Sequence, residues 1–166
     1  MNDHATDAAI RHARFGDAKA IFGIIRDHPD ELVPRPISDI LQNIDRFLVA
    51  DAGGAVAGCV SWGILPEPGS VRHPSVEIKT LAVDPAFRGR RFGNALVERV
   101  IEEIRPFRPE QIIVLTFAPD FFRRFGFEET PKEQLMHKIY SGCANCTRYE
   151  SPFTCPEIAM SLKLEA

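Results

Sequence analysis

No apolar run in this 166-residue sequence approaches the roughly 18–20 residues that a membrane-spanning helix needs. Positive charge is not in excess: 20 Lys and Arg stand against 23 Asp and Glu, giving a net charge of −3 and a pI near 6.0. No net positive field therefore exists to gather nucleic-acid phosphates, and a general nucleic-acid binder is excluded. The opening Met1-Asn2-Asp3-His4-Ala5 is polar and lacks the basic-then-apolar layout of a secretion signal. The expected compartment is the cytoplasm, where the 4 cysteines point to thiols or metal ligands rather than disulfides. Internal repeats and low-complexity tracts are absent as well. What is present is an ordinary globular composition, 45% apolar and 26% charged, too apolar for disorder. One domain over residues 1–166 is expected, able to bury roughly 70% of its unfolded surface.

Periodicity gives the element order. Residues 8–14 alternate apolar and basic, as a strand does. Asp17 stands at an N-cap position before Ala18, Ile21, Phe22, Ile24 and Ile25, the spacing of a helix with one apolar face. His28-Pro29 ends that helix. Ser38 is expected to cap a second, short helix over about 39–45. Strands over 46–51 and 55–65 flank Ala52-Gly53-Gly54, a hairpin turn signal. A Pro/Gly loop over 66–74 leads to a strand over 75–83, a long helix over about 91–105 and an almost wholly apolar strand over 111–117. Pro119 opens a short helix that Gly126 closes. The segment from 131 is expected to be irregular until a closing strand over 157–164. The early strands read as antiparallel and 75–117 as a parallel strand–helix–strand crossover. The fold class is thus α/β (α+β): a mixed, mostly antiparallel sheet with helices on both faces.

The most informative stretch joins strand to helix: Val83-Asp84-Pro85-Ala86-Phe87-Arg88-Gly89-Arg90-Arg91-Phe92-Gly93-Asn94. A helix start carries unpaired N–H groups and a partial positive charge. Arg88, Arg90 and Arg91 are misplaced there unless an anion joins them, and such N–H groups bind phosphate well. Gly89 and Gly93 permit close backbone approach. A solvated basic turn would use the same residues. The turn is neither a P-loop nor a dinucleotide fingerprint.

This stretch resembles the acetyl-CoA motif of the GNAT family of N-acetyltransferases, [Q/R]-x-x-G-x-[G/A], in which Arg88 and Gly93 take the end positions and Arg91 replaces the middle glycine. The flanks Glu77-Ile78-Lys79-Thr80-Leu81-Ala82-Val83 and Phe121-Phe122-Arg123-Arg124-Phe125-Gly126-Phe127 match it too, and the resemblance covers nearly the whole chain from residue 8. It implies that the backbone of Leu81, Ala82 and Val83 holds the pantetheine arm of acetyl-CoA. The N–H groups of Arg88, Gly89, Arg90, Arg91, Phe92, Gly93 and Asn94 would hold its pyrophosphate.

Glu77 is the expected general base. Alternation puts Glu77, Lys79, Leu81 and Val83 on one strand face, and burial of a carboxylate among apolar residues raises its affinity for protons, as a base near neutrality needs. A structural ion pair with Lys79 or across strands is the plain alternative. The tyrosine that many relatives use as general acid corresponds here to Phe122, which cannot donate a proton and is expected simply to pack.

The stretch 115–127 resembles the L-T-x-x-x-x-F-F-x-x-x-G-F pattern of N-acetylglutamate synthases, and 131–159 resembles the tail of short bacterial amino-acid N-acetyltransferases. The resemblance implies a small-molecule amino-acid acceptor, glutamate first, and a place in arginine biosynthesis. By this resemblance it would be the short form, without an amino-acid kinase domain. Two carboxylates on the acceptor call for fixed cations, with Lys79, Arg123 and Arg124 as candidates. Another amine, a peptide N-terminus, or a non-catalytic acetyl-CoA or metal sensor remain alternatives. Many relatives dimerise, so a homodimer is compatible with the resemblance.

A Cys-rich segment, about 131–156, precedes the last strand. His137, Cys143, Cys146 and Cys155 could close a tetrahedral zinc shell of structural kind, and free or redox-active thiols are the alternative. Cys59 falls within a strand and is expected in the core.

Overall fold

The computed structural model describes residues 9–67, 69, 71–143 and 146–165. The polar N-terminal segment, Pro68, Ser70, Ala144, Asn145 and Ala166 lie outside them. The chain forms β1 (Ala9–His12), α1 (Ala18–Arg26), α2 (Ile37–Gln42), β2 (Phe47–Ala52), β3 (Ala55–Leu65) and β4 (Ser75–Val83). There follow α3 (Phe92–Ile104), β5 (Ile112–Thr116), α4 (Pro119–Arg123), β6 (Glu128–Glu129), α5 (Met136–Lys138) and β7 (Ile158–Leu162). The strands make a 7-stranded sheet in the order β1-β2-β3-β4-β5-β7-β6. β1/β2, β2/β3, β5/β7 and β6/β7 pair antiparallel, and β4/β5 pair parallel through Val76 with Ile112 and Glu77 with Ile113. The mixed, mostly antiparallel sheet expected from the sequence is the observed one.

Two compact units divide the chain: residues to Trp62 with Ile78–Glu103, and Gly63–Glu77 with residues from Ile104 onward. The first is built on the apolar stripe of α1. Ile21, Ile24 and Ile25 are buried with Ile40, Phe47, Val49, Cys59 and Ala82, each large side chain contributing about 1.5–3 kcal/mol on leaving water. Leu96, Val97, Val100, Ile101 and Ile104 of α3 are buried as their spacing requires. Gly53 (φ 66) and Gly54 (φ 95) make the β2–β3 turn, where two successive left-handed residues match the strand twist, and the Gly54 N–H donates to Asp51 Oδ1 at 2.7 Å. In the second unit Ile113, Leu135 and Ala159 are buried against Leu65 and Leu115.

Two helix caps differ from expectation. A 3-10 turn over Phe15–Asp17 precedes α1, so Asp17 stands at the N-cap position of α1 as expected, but its side chain makes no capping hydrogen bond to α1. Its carboxylate instead accepts from the Arg14 N–H at 2.7 Å and from the Arg11 guanidinium at 2.8 and 3.0 Å. Helix α2 begins at Ile37 after an extended Pro36, ahead of Ser38, because proline pre-sets the entry to the turn and supplies no N–H to satisfy. His28, as expected, lies past the end of α1; its Nδ1 contacts the Ile24 carbonyl at 2.7 Å, giving an orphan helix carbonyl a partner. The segment from 131 is also more regular than expected. It holds a 3-10 turn over Lys132–Leu135, then α5, then a π-helical turn over Ile139–Cys143.

Candidate active site

Strand β4 ends at Val83, and Asp84-Pro85 turns the chain as its sequence requires. The Asp84 carboxylate accepts from the Ala86 N–H at 2.9 Å and closes a 3-10 turn over Pro85–Phe87. Arg88, Gly89, Arg90 and Arg91 follow as an exposed turn into α3. No acidic residue occupies the first turn of that 13-residue helix, so nothing of its own neutralises the positive helix start. Gly89 has φ 80 and Arg91 φ 61. The middle position of the motif is thus left-handed, a conformation that glycine adopts without strain and arginine at a cost of about 1 kcal/mol. Arg90 lies over the Phe87 ring at 5.4 Å.

The strand that feeds this turn is irregular. Thr80 has φ 58, a rare value for a β-branched residue. It interrupts the alternation, so the face expected to run from Glu77 and Lys79 on to Leu81 and Val83 does not continue past Thr80. A network that sequence reasoning missed holds this point. Arg35 Nη1 donates to Thr80 Oγ1 at 3.0 Å and to Ser61 Oγ at 3.2 Å, and Arg35 Nε donates to Asp39 Oδ2 at 2.5 Å. The guanidinium lies 5.0 Å from the Phe47 ring centroid, with the side chain 12% exposed. Ser61 Oγ donates to the Lys79 carbonyl at 3.2 Å, and the Cys59 thiol donates to the Thr80 carbonyl at 3.6 Å. These partners lie 26 and 45 residues from Arg35, so no local pattern could have shown them.

Gly58 was missed for the same reason. A Cβ there would stand 2.9 Å from the Ala82 carbonyl oxygen and 3.2 Å from Leu96 Cδ1. Only glycine lets β3 approach the end of β4 and α3 so closely.

In the second unit, Glu77 is buried as expected, its side chain 7% exposed. Its partner is not Lys79, which is exposed, but Lys138, whose Nζ lies 2.8 Å from Glu77 Oε1 with its side chain 15% exposed. Arg123, expected to meet an acceptor carboxylate, already pairs with Asp120 and Glu129. Arg124 lies over Phe121 at 5.0 Å. Phe122 is buried edge-on to Phe121 and Phe127, the packing role expected of it.

The expected zinc shell is not assembled. Among the described residues no group of three or more His, Cys, Asp or Glu side chains is arranged to hold a metal. The Cys155 thiol donates to Glu157 Oε2 at 3.7 Å, Cys146 is exposed, and His137 Nε2 is buried without a hydrogen-bond partner. Spacing along the chain put four ligands within reach, but the Cys146 N–H donates to the Cys143 carbonyl at 3.1 Å and the four side chains do not gather into a metal shell. All four cysteines are free. Burial pushes the Cys59 thiol up to about 12, as befits a core residue.

Residues 43–129, which include the irregular strand, the Arg/Gly turn and α3, match the model of the acetyltransferase (GNAT) domain. The chain belongs to the GNAT family of acetyltransferases. As a GNAT protein it is an acyltransferase. It is 34% identical over 158 residues to an uncharacterized N-acetyltransferase of Chlorobaculum tepidum, covering 94% of this chain and 96% of that one. It is 33% identical over 128 residues to an amino-acid acetyltransferase of Mycobacterium tuberculosis, covering 72% of this chain and 68% of that one. A crystal structure of an M. tuberculosis protein in complex with CoA and NLQ superposes with a TM-score of 0.77 at 25% identity, over 95% of this chain and 99% of that one. N-acetylglutamate synthase of Neisseria gonorrhoeae, complexed with coenzyme A and N-acetyl-glutamate, shares the fold with a TM-score of 0.75 at 20% identity. This GNAT chain spans only 35% of that longer protein.

Proposed function

We propose that this chain is one acetyltransferase domain that moves the acetyl group of acetyl-CoA to the α-amine of an amino acid, L-glutamate first, in the cytoplasm and at the entry to arginine biosynthesis. The observation that carries the chemistry is the buried Glu77 carboxylate on β4, the strand that runs into the Arg/Gly turn. The amino-acid acetyltransferase among the relatives supports the acceptor class.

The roles follow from the chemistry of each group. The backbone of Leu81, Ala82 and Val83 holds the pantetheine arm. The N–H groups from Gly89 through Asn94 hold the pyrophosphate at a helix start with no acidic residue of its own; the Arg88 N–H already donates to the Pro85 carbonyl at 3.4 Å, so Arg88, like Arg90, adds positive charge through its side chain. The acceptor arrives as an ammonium ion and must lose a proton before its nitrogen can attack. Glu77 takes that proton, directly or through one water. The nitrogen then adds to the thioester carbonyl, the C–S bond breaks, and CoA leaves as a thiolate that solvent protonates, since Phe122 cannot. Lys79 is the first cation proposed for an acceptor carboxylate, and Arg124 the second. Arg123 would have to exchange its pairs with Asp120 and Glu129 to serve.

The test is release of CoA thiol from acetyl-CoA against the twenty amino acids, with product mass confirmed. A control without acceptor is essential because Cys146 is exposed and reacts with thiol reporters. Selective turnover with glutamate is expected, and Glu77→Gln is expected to lower kcat by about 10²–10⁴-fold with acetyl-CoA affinity unchanged. Tight acetyl-CoA binding with no turnover for any amino acid would overturn the reading.

A further inference from the structure

We propose that Lys138 is a positioning residue for Glu77: its ammonium, supplied by the segment before the last strand, pairs with the buried carboxylate and holds it in place. This rests on the reading of Glu77 as the general base. The two groups meet at 2.8 Å with side chains 15% and 7% exposed, so little water screens the pair. A carboxylate buried this far without a partner takes up a proton instead of staying charged, and a protonated base cannot serve. Lys138 supplies that partner.

The fold makes room for this cation deliberately. The π-helical turn over Ile139–Cys143 wraps back on Lys138, and a Cβ at Gly142 would stand 2.7 Å from Lys138 Nζ and 3.5 Å from its Cε. Glycine at 142 is what lets the ammonium lie against the turn and reach β4. Among the described side chains, titratable groups of this neighbourhood include His137 next to Lys138, Cys143 in the same turn, and Cys155 and Glu157 ahead of β7; the register partner of Glu77 on β5 is the uncharged Ile113. Burial pushes the Cys143 thiol above its usual range, and it feels the charges of Lys138, Glu77, Glu157 and Cys155 together. Glu157 is likewise pushed up by burial and feels Lys132, Lys138 and Arg148. Among these described groups, Lys138 is the cation seated on Glu77 itself.

The experiment is the pH profile of kcat with saturating acetyl-CoA and acceptor, for the wild type, Lys138→Met, Lys138→Arg, Gly142→Ala and Glu77→Gln. In Lys138→Met the acid limb is expected to move up by about one to three pH units, so that kcat falls about tenfold or more at pH 7 and recovers at alkaline pH. Lys138→Arg should restore the wild-type limb. Gly142→Ala displaces only the far end of a flexible side chain, so it should fold and shift the limb in the same direction, which keeps the test open if Lys138→Met does not fold. Unshifted limbs in Lys138→Met and Gly142→Ala, with Glu77→Gln inactive, would overturn the role of Lys138 alone. Full activity in Glu77→Gln would overturn the base itself, and with it this proposal.

Discussion

Gly58 shows how a single residue can set the geometry of a strand edge. An added Cβ would meet the Ala82 carbonyl at 2.9 Å and Val83 Cγ2 at 3.3 Å, and a backbone oxygen cannot swing aside as a side-chain tip can. Gly58→Ala is therefore expected to cost about 1–3 kcal/mol, read as a lower midpoint in denaturant unfolding, and to raise the KM for acetyl-CoA because residues 81–83 move. An unchanged midpoint would show that β4 yields more easily than this packing implies. Arg35 works at the same scale with the opposite chemistry. It supplies donors to Ser61, Thr80 and Asp39 from one buried guanidinium, a geometry that a lysine's single ammonium does not reproduce. Glu77 and Gly58 differ in how they stand out in sequence. The first was legible because a carboxylate among strand apolars is chemically conspicuous, whereas a glycine in a strand only hints that something comes close.

Between elements, the clearest electrostatic tie is Arg11 on β1. It reaches Asp17 in the turn before α1 at 2.8 Å and Asp51 on β2 at 2.9 Å. The Arg11 side-chain bond, aided by the Arg14 N–H, holds the Asp17 carboxyl below its ordinary value. A carboxyl lowered in the folded state contributes stability above its unfolded value of about 3.9, and that contribution is lost as pH falls through the folded value. The stability gap between wild type and Asp17→Asn should thus be constant from about pH 5 upward and close below about pH 4. Denaturant midpoints measured from about pH 7 to about pH 2 check this, and a gap that does not narrow at all below about pH 4 would place the effect of Asp17 in packing. Asp17 was noticed in sequence as a helix cap. Its actual partners follow from a three-residue 3-10 turn that periodicity does not resolve, and from a strand pairing that brings Arg11 beside Asp51.

Across the whole molecule the consequence is selectivity between two substrates. If Lys79 meets an acceptor carboxylate, Lys79→Met should raise the glutamate KM about 10–100-fold, the worth of a charge-assisted hydrogen bond, and leave the acetyl-CoA KM within about twofold. Equal changes in both would place Lys79 outside acceptor binding. The family was legible through resemblance to its motif, and the element order and the Arg/Gly turn because they rest on local signals: apolar period, proline and glycine punctuation, and charge at a helix start. The sequence by itself determined that α3 buries Leu96, Val97 and Val100, that β5 is apolar on both faces, and that Asp84-Pro85 ends β4. Only the tertiary structure decided that Lys138, and not Lys79, neutralises Glu77. Only it decided that Arg35 holds the left-handed Thr80 and that, among the described residues, His137, Cys143, Cys146 and Cys155 form no metal shell. The physical reason is common to all three. Local structure follows from neighbours in sequence, whereas the partner of a buried charge is whichever group folding delivers, and Glu77 must be paired because an isolated charge in the interior is too costly to keep.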